Sequence, residues 1–275
     1  MKEKILTTKE IKAFQGKIYG YYRLLGRDLP WRRTTNPCHI VVSEIMLQQT
    51  QVERVHGKYL EFINAFPDFD TLARASQKDV LALWQGLGYN RRALALKRLA
   101  ENVVSMHGGT LPRDVEALSS LPGIGKTTAG EILAFAFNTP SVFIETNIRR
   151  VFIHEFFDRE ENVKDTEILP FVEATVDGKN PREWYWALMD YGSMLKKNIE
   201  NPNRRSAHYT RQTPFEGSDR RIRGLVVKRL LNDKTLSAER LVEETGVSLN
   251  HLKRILSGLV NEGFIGEDNG LYKIT

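Results

Sequence analysis

The chain has 275 residues, enough for one large domain or for two to three small ones. Its hydrophobic fraction of 41%, charged fraction of 27% and mean hydropathy of −0.38 are ordinary globular values, and the absence of a long apolar run argues against an integral membrane protein. The net charge of +6 is compatible with an anionic partner but modest for this length. Cys38 is the only cysteine, which excludes an intramolecular disulfide, a four-cysteine zinc site and an all-cysteine iron–sulfur cluster.

The positive charge is concentrated in one stretch. Between Lys196 and Arg229 there are ten basic and three acidic residues, whereas the rest of the chain is nearly neutral. Two interpretations fit this pattern equally well: a solvated linker between domains, and a surface that contacts phosphates. The first ten residues carry charges where a secretory signal would be apolar, so we expect a cytoplasmic protein.

Helical periodicity dominates the chain before this basic stretch, and no strand-like alternation competes with it. The predicted helices span 40–55, 60–66, 77–87, 91–107, 114–120, 127–137, 146–157 and 182–194. After the stretch we predict a helix over 222–232, a second helix capped by Ser237 and a third capped by Ser248. A hairpin is predicted over 264–275, with its turn at Asp268-Asn269-Gly270. Three helices followed by a hairpin predict a small winged helix, with a boundary near 215–217.

The segment from Leu121 to Gly130, LPGIGKTTAG, joins two predicted helices through a turn that contains Gly123 and Gly125. Glycines in such a turn let backbone N–H groups approach a phosphate at the N-terminus of the following helix. The whole string resembles the helix–hairpin–helix of the DNA glycosylase superfamily that contains endonuclease III and the MutY-type adenine glycosylases.

Further segments resemble the MutY-type branch in the same order, from about residue 12 to residue 195. They are Leu29-Pro-Trp-Arg32, Ser43-Glu-Ile-Met-Leu-Gln-Gln-Thr-Gln-Val52, Leu83-Trp-Gln-Gly-Leu-Gly-Tyr89 and Met189-Asp-Tyr-Gly-Ser-Met194. The resemblance implies a mainly α, two-lobed helix–hairpin–helix glycosylase fold over 1–215, followed by the winged-helix-like domain over 216–275. A six-helix lobe is expected at about 30–140, and a second lobe is expected from the N-terminus together with about 141–215.

Hydrolysis of an N-glycosidic bond requires a good leaving group and stabilisation of an oxocarbenium-like sugar, which two carboxyl groups can supply. Glu44 opens an apolar run, so burial is expected to keep it protonated. In the resembled family this glutamate protonates a purine nitrogen and later positions water. The alternative is a helix-start glutamate that only stabilises the helix dipole.

The second carboxylate departs from the family pattern, which has an aspartate where this chain has Glu145. Three outcomes are open: Glu145 substitutes after local adjustment, it alters the geometry for another substrate, or the protein is not catalytic. Asn147 follows the family pattern and is expected to fix the sugar phosphate or the carboxylate. The family resemblance therefore assigns Glu44, Glu145 and Asn147 to catalysis.

Four hairpin residues are expected to contact DNA: Gly123, Gly125, Lys126 and Thr127. Bifunctional relatives carry a lysine nucleophile at the position of Thr127, so the resemblance implies base removal without strand cleavage. Lys126 is interpreted as a phosphate contact, or as an exposed lysine without function.

Three residues outside the hairpin are also expected to contact DNA. Base extrusion needs groups that fill the vacated stack and hold the backbone, and Gln48, Gln49 and Tyr89 occupy the matching positions of the family. Arg91 and Arg92 follow Tyr89 closely, where they are either phosphate contacts or solvated side chains.

Two features of the family are missing from the sequence. The four cysteines that hold an iron–sulfur cluster are absent, and the first of their positions is Lys196, so we expect no cluster and no other cofactor or metal. A winged helix stands where MutY-type enzymes carry the Nudix-like domain that recognises 8-oxoguanine. The predicted winged helix contains ten basic and nine acidic residues, and this near-neutral charge suits docking to a protein as well as binding in a DNA groove.

The sequence therefore predicts a monomeric, cytoplasmic, nucleoid-associated DNA glycosylase of base excision repair that acts on double-stranded DNA. Adenine opposite guanine or 8-oxoguanine is the first choice of substrate. The alternatives are a mismatch thymine/uracil or hypoxanthine glycosylase, and a non-catalytic lesion-binding protein that has lost its chemistry at Glu145. A buried Glu44 favours an enzyme, because a protein that only binds has no need of a buried carboxylic acid.

Overall fold

The computed structural model describes residues 5–210 and 215–275, and its residues form two compact units. Of the described residues, the first unit comprises 5–44 and 112–210, and the second comprises 45–111 and 215–275. Each unit is therefore built from two separate stretches of the chain. Within the described residues, no helix is long and apolar enough to cross a membrane.

The first unit is helical. It contains α1 (Thr8–Leu25), the part of α2 (Pro37–Leu47) up to Glu44, α7 (Val115–Ser120), α8 (Lys126–Phe137), α9 (Thr146–Phe156), α10 (Asp165–Thr175) and α11 (Pro181–Asn198). Aromatic rings fill its core: the ring centroid of Phe14 lies 5.5 Å from that of Phe152 and 5.7 Å from that of Trp184. These contacts join α1, α9 and α11, and each such pair adds about 1 kcal/mol beyond the area it buries.

Two of the family-like segments meet in this unit. Arg32 donates to both carboxylate oxygens of Asp190, each at 2.8 Å, and Arg27 donates to the same carboxylate through its backbone N–H and its Nε. Asp190 is buried, so four donors offset the cost of removing its charge from water. The pair ties the segment before α2 to α11.

The second unit combines helices with a small sheet. It contains α3 (Val52–Ala65), α4 (Phe69–Arg74), α5 (Gln77–Trp84), α6 (Arg91–His107), α12 (Asp219–Asp233), β1 (Thr235–Ser237), α13 (Ala238–Thr245), α14 (Leu249–Asn261), β2 (Ile265–Asp268) and β3 (Leu271–Ile274). The antiparallel strands lie in the order β1-β3-β2, and β2 pairs with β3 from Ile265↔Ile274 to Asp268↔Leu271. This confirms the predicted winged helix, which we call the C-terminal module (218–275).

Several helix predictions need correction. The helix predicted over 40–55 is two helices, because Gln49 adopts a left-handed backbone with φ of 55° and ends α2. Helices α1, α4 and α10 were not predicted. Helix α1 starts at a capping box in which Thr7 accepts from the N–H of Glu10, and α4 starts at a similar cap on Asp68.

The two compact units divide the chain differently from the predicted lobes. Residues 30–44 and 112–140 cluster with the first unit, where α8 packs on α7 and α11. The C-terminal module clusters with α3–α6 in the second unit, where α12 packs on α5. The predicted boundary near 215–217 follows residues 211–214, which lie outside the described part of the chain.

Candidate active site

Glu44 lies in the most apolar part of α2. Its neighbours Ile40, Val41, Val42 and Ile45 are at most 1% exposed, and Glu44 itself is 7% exposed. The hydroxyl of Ser43 lies 2.8 Å from the carbonyl oxygen of Ile40 and 3.3 Å from Oε1 of Glu44, and its single proton cannot serve both. Burial raises the pKa of Glu44 to about 8, so this carboxyl is protonated at neutral pH.

Glu145 has a different environment at the N-cap of α9. Its Oε1 accepts from the backbone N–H of Ile148 at 2.6 Å, and its Oε2 accepts from the side-chain amide of Asn147 at 3.1 Å. The pKa of Glu145 lies above its ordinary value because of burial, and the amide donors of α9 and the charges of Arg150 and Arg149 oppose this rise. Together with the helix dipole, these groups stabilise the ionised carboxylate.

The two carboxyl groups therefore differ in protonation state: Glu44 is suited to act as an acid and Glu145 to act as an anion. The negative charge of Glu145 is one of the causes that raise the pKa of Glu44, which favours one proton on the pair. Glu145 has amide donors for its charge and Glu44 lies among apolar side chains, so the proton resides on Glu44. This arrangement provides a general acid together with a fixed negative charge.

Asn147 and Arg150 fix the position of Glu145 through a chain of hydrogen bonds. Asn147 donates to Glu145 and accepts from Nη1 of Arg150 at 2.6 Å, and the same nitrogen donates to the carbonyl oxygen of Gly192 at 2.8 Å. Gly192 is required by this approach of α11 to α9, because an added Cβ would lie 2.8 Å from the Cβ of Asn147. Of the two roles expected for Asn147, the structure shows the contact with the carboxylate.

A third carboxyl group, Glu131 on α8, was not among the residues predicted from the sequence. Burial and the neighbouring Glu44 and Glu145 raise its pKa well above the ordinary value, which places it in the same group of carboxyls. The sequence contained a usable signal. Glu131 is the one charged residue in the otherwise apolar run from Ala129 to Phe137, and a charged side chain among apolar neighbours is uncommon unless it is paired.

The hairpin before α8 has the geometry expected of a phosphate site. Gly123 has a φ of 83°, and Gly125 is the N-cap of α8 with no side chain to satisfy the first amides of the helix. Lys126 and Thr127 are exposed beside those amides. The four hairpin residues predicted to contact DNA therefore form one exposed turn in the first unit.

The other three predicted DNA contacts lie in the second unit, in two neighbouring turns. Gln48 and Gln49 lie between α2 and α3, and Tyr89 lies between α5 and α6.

The guanidinium group of Arg92 connects these two turns by hydrogen bonds. It donates to the carbonyl oxygens of Ile45 (2.8 Å), Met46 (2.9 Å), Gln48 (2.6 Å) and Gly88 (3.2 Å) and to Oγ1 of Thr50 (2.9 Å). Burial lowers the pKa of Arg92 to about 10. A solvated or phosphate-binding Arg92 was the expectation, and it is wrong, since this side chain is an internal support.

The basic stretch is only partly available for a partner. Lys196 and Lys197 are exposed at the end of α11, and Arg204 forms an exposed ion pair with Glu200. Arg205 instead donates to the carbonyl oxygens of Phe157 and Ile153 and so supports the end of α9. Arg211 lies outside the described residues.

The side chains present do not fit the iron–sulfur cluster of the resembled family. That cluster needs four thiolates, whereas the chain has one cysteine, Cys38, which is buried in α2. In the described part of the chain, no group of three or more His, Cys, Asp or Glu residues could hold a metal ion.

Comparison with known proteins finds similarity to DNA glycosylases. The HhH-GPD superfamily of base excision DNA repair proteins matches residues 42–169, which include Glu44, the hairpin and Glu145. An adenine DNA glycosylase of Buchnera aphidicola is 37% identical over 188 residues, covering 66% of this chain and 53% of the relative. An adenine DNA glycosylase of Mycolicibacterium smegmatis is 32% identical over 241 residues, covering 82% of each.

A solved structure, that of a thermostable thymine-DNA glycosylase, has the same fold, with a TM-score of 0.62 and 26% identity over 70% of this chain and 91% of that one. The chain spans about half the length of the Buchnera relative, 53%. Its match to the Mycolicibacterium relative nevertheless extends over 82% of both proteins. The chain belongs to the HhH-GPD superfamily of base excision DNA repair proteins, among relatives that are adenine DNA glycosylases of the MutY type.

Proposed function

We propose that the protein is a monofunctional DNA glycosylase that hydrolyses the N-glycosidic bond of a flipped adenine mispaired with guanine or 8-oxoguanine. One observation carries this proposal. A buried carboxylic acid, Glu44, belongs to the same group of carboxyls as a helix-capping carboxylate, Glu145, whose environment stabilises negative charge. Bond cleavage at an N-glycoside needs this combination of acid and anion.

In the proposed reaction Glu44 donates its proton to a ring nitrogen of the flipped base. The bond between C1′ and the base then breaks, and the bonding electrons leave with the base. The carboxylate of Glu145 stabilises the positive charge that develops on the sugar. Water attacks C1′ and returns a proton to Glu44, which restores the acid for the next cycle.

Binding of the DNA is assigned to the two sets of residues described above. The exposed hairpin turn with Gly123, Gly125, Lys126 and Thr127 binds a backbone phosphate. Gln48, Gln49 and Tyr89 occupy the space that the flipped base leaves. We further propose that the protein acts as a monomer on double-stranded DNA in the cytoplasm, associated with the nucleoid.

Removal of thymine or uracil is the second candidate function. Its support is the thymine-DNA glycosylase structure, of which the chain covers 91%. Identity does not separate the two candidates, because a thymine/uracil-DNA glycosylase of Pyrobaculum aerophilum is 33% identical over 185 residues, between the 32% and 37% of the two adenine glycosylases. Adenine is preferred because the segment from Ser43 to Val52 resembles that of the MutY-type branch. A panel of duplexes that each carry one mismatch or lesion tests both, with single-turnover incubation followed by alkali to reveal abasic sites. Adenine release from pairs with guanine or 8-oxoguanine supports the proposal, and exclusive release of thymine, uracil or hypoxanthine contradicts it.

Base removal without strand cleavage is predicted from Thr127, because a hydroxyl at this position cannot form the Schiff base that leads to cleavage. Products should therefore break only after alkali treatment, and borohydride should trap no covalent protein–DNA complex above background. Thr127→Lys provides a matched gain-of-function test. A strong adduct of the wild type that disappears in Lys126→Ala would contradict the assignment.

We propose that the exposed lysines at the end of α11 replace the cluster of the relatives as a phosphate-binding surface. Neutralisation of Lys196 and Lys197 to Gln should weaken binding to all duplexes alike and reduce the slope of log K against log salt by about 0.9 for each phosphate that the protein no longer neutralises. Arg240→Gln in the C-terminal module is the control, since it removes an exposed positive charge elsewhere. An unchanged salt slope would make these lysines part of a linker only.

A further inference from the structure

The turn between α5 and α6 holds Tyr89 in an uncommon backbone conformation. Gly86, Gly88 and Tyr89 have φ values of 94°, 72° and 48°, and the indole N–H of Trp84 donates to the carbonyl oxygen of Gly88 at 3.1 Å. L-residues avoid the left-handed region, so a tyrosine stays there only when its surroundings hold it. The contacts of its ring therefore identify what holds it.

Two guanidinium groups lie against the Tyr89 ring. Cζ of Arg92 lies 5.5 Å from the ring centroid and Cζ of Arg220 lies 5.7 Å from it. Nη1 of Arg220 also donates to the tyrosine hydroxyl at 2.6 Å. Arg92 is the internal support described above, whereas Arg220 belongs to α12, the first helix of the C-terminal module. The ring of Tyr89 is thus contacted by both arginines, and its hydroxyl accepts a hydrogen bond from the module.

Separate contacts fix the C-terminal module in the position from which Arg220 reaches Tyr89. Glu262, after α14, accepts from Nε and Nη2 of Arg91 at 2.6 Å each, and from Arg223 of α12. Gln77 donates from Nε2 to the carbonyl oxygen of Gly263 at 2.8 Å. The module thus has its own anchors, and the Arg220 contact is not required to attach it.

We infer that the C-terminal module contributes to base-pair discrimination, and that Arg220 is the positioning residue through which it acts on Tyr89. This rests on the proposed function, in which Tyr89 enters the base stack. A ring of fixed orientation fits some base pairs better than others, whereas a ring that rotates freely accommodates all of them. The sequence alone indicated no group in the module that would serve this purpose, and the Arg220 contact supplies one.

The test measures a ratio, so that a general loss of activity or stability does not affect it. For each variant of the full chain, the single-turnover rate of adenine release opposite guanine is divided by the rate opposite thymine. In a Glu44→Gln background the ratio of the two Kd values is measured as well. The variants are Arg220→Ala, Arg220→Lys, Tyr89→Phe and the double variant Arg220→Ala/Tyr89→Phe. The controls are Gln77→Ala, which weakens a module anchor, and Arg240→Ala, which removes an exposed charge.

Arg220→Ala and Tyr89→Phe should each lower the ratio by at least about tenfold, the lower bound expected for the loss of one hydrogen bond from a charged donor. The double variant should lower it no further than either single variant, because both remove the same interaction. Arg220→Lys should restore part of the ratio, since lysine keeps a donor. Gln77→Ala and Arg240→Ala should leave the ratio at its wild-type value.

Three results would overturn the inference. An unchanged ratio in Arg220→Ala and Tyr89→Phe would show that the contact between Arg220 and Tyr89 serves only to attach the module. Additive losses in the double variant would show that Arg220 acts independently of Tyr89, and an equal loss in Gln77→Ala would assign the effect to module attachment. If the wild type releases no base from any duplex, the proposed function fails, and the Kd ratio still decides whether Arg220 controls discrimination.

Discussion

Glu44→Gln should lose at least about a thousandfold in single-turnover base release while the Kd for DNA changes little, since the amide keeps the shape of the side chain but cannot donate the proton. Glu173→Gln on the exposed side of α10 is the matched control and should retain the full rate. Retained activity in Glu44→Gln would assign the acid to another group, and Glu131 would be the first to test, because its pKa is also raised well above the ordinary value by burial and by the neighbouring Glu44 and Glu145.

The same substitution should change stability with a definite sign. A glutamate has a pKa near 4.5 when unfolded, and burial raises the pKa of Glu44 to about 8, so the folded state binds the extra proton between these values. Stability therefore falls as pH rises through this window, by up to about 1.4 kcal/mol per pH unit. Glutamine does not titrate, so Glu44→Gln should not lose stability in this way. In thermal unfolding, the Tm of the variant minus that of the wild type should increase from pH 5 to pH 8. A parallel pH dependence in both proteins would contradict the buried acid.

Glu145→Gln should lose about a hundred- to a thousandfold in rate, the usual cost of removing a group that stabilises charge in the transition state. The amide oxygen can still accept from the N–H of Ile148, so the cap of α9 and the fold should persist. Circular dichroism and Kd for DNA check that condition.

Glu145→Asp is the conservative partner of this variant. It restores the residue of the resembled family, keeps the charge and remains a good helix cap, so it should stay within about tenfold of the wild-type rate. A full rate in Glu145→Gln would remove this residue from the mechanism. Loss of all activity in Glu145→Asp would show that the chain is adapted to the longer side chain.

The sequence predicted the elements that depend on local signals. Helix α6, the Ser237 and Ser248 caps and the C-terminal hairpin follow from periodicity and turn residues, and the site residues Glu44, Glu145 and Asn147 follow from motifs. The break between α2 and α3 was missed because Gln49 gives no indication of a left-handed backbone when read alone. Helix α1 was missed, although Thr7 and Glu10 form the spacing of a capping box.

Contacts between residues distant in sequence were beyond prediction. Arg92 and Arg220 are ordinary arginines in the sequence, and only the fold brings both of them to the Tyr89 side chain, from positions three and 131 residues away. Glu131 is the intermediate case, since its charge in an apolar helix was visible but its partners were not. Local patterns thus predicted the elements and candidate residues, and the tertiary contacts determined their roles.

The pH dependence of single-turnover adenine release opposite guanine, measured from pH 5 to pH 10, tests the central claim most directly. If a protonated Glu44 is the acid, the rate should decline above a pKa of about 8, with a slope of one proton in a plot of log rate against pH. Glu145→Asp should show the same alkaline limb. A rate that stays constant or rises through pH 8 to pH 10 would contradict the account, because Glu44 would then have no proton to donate.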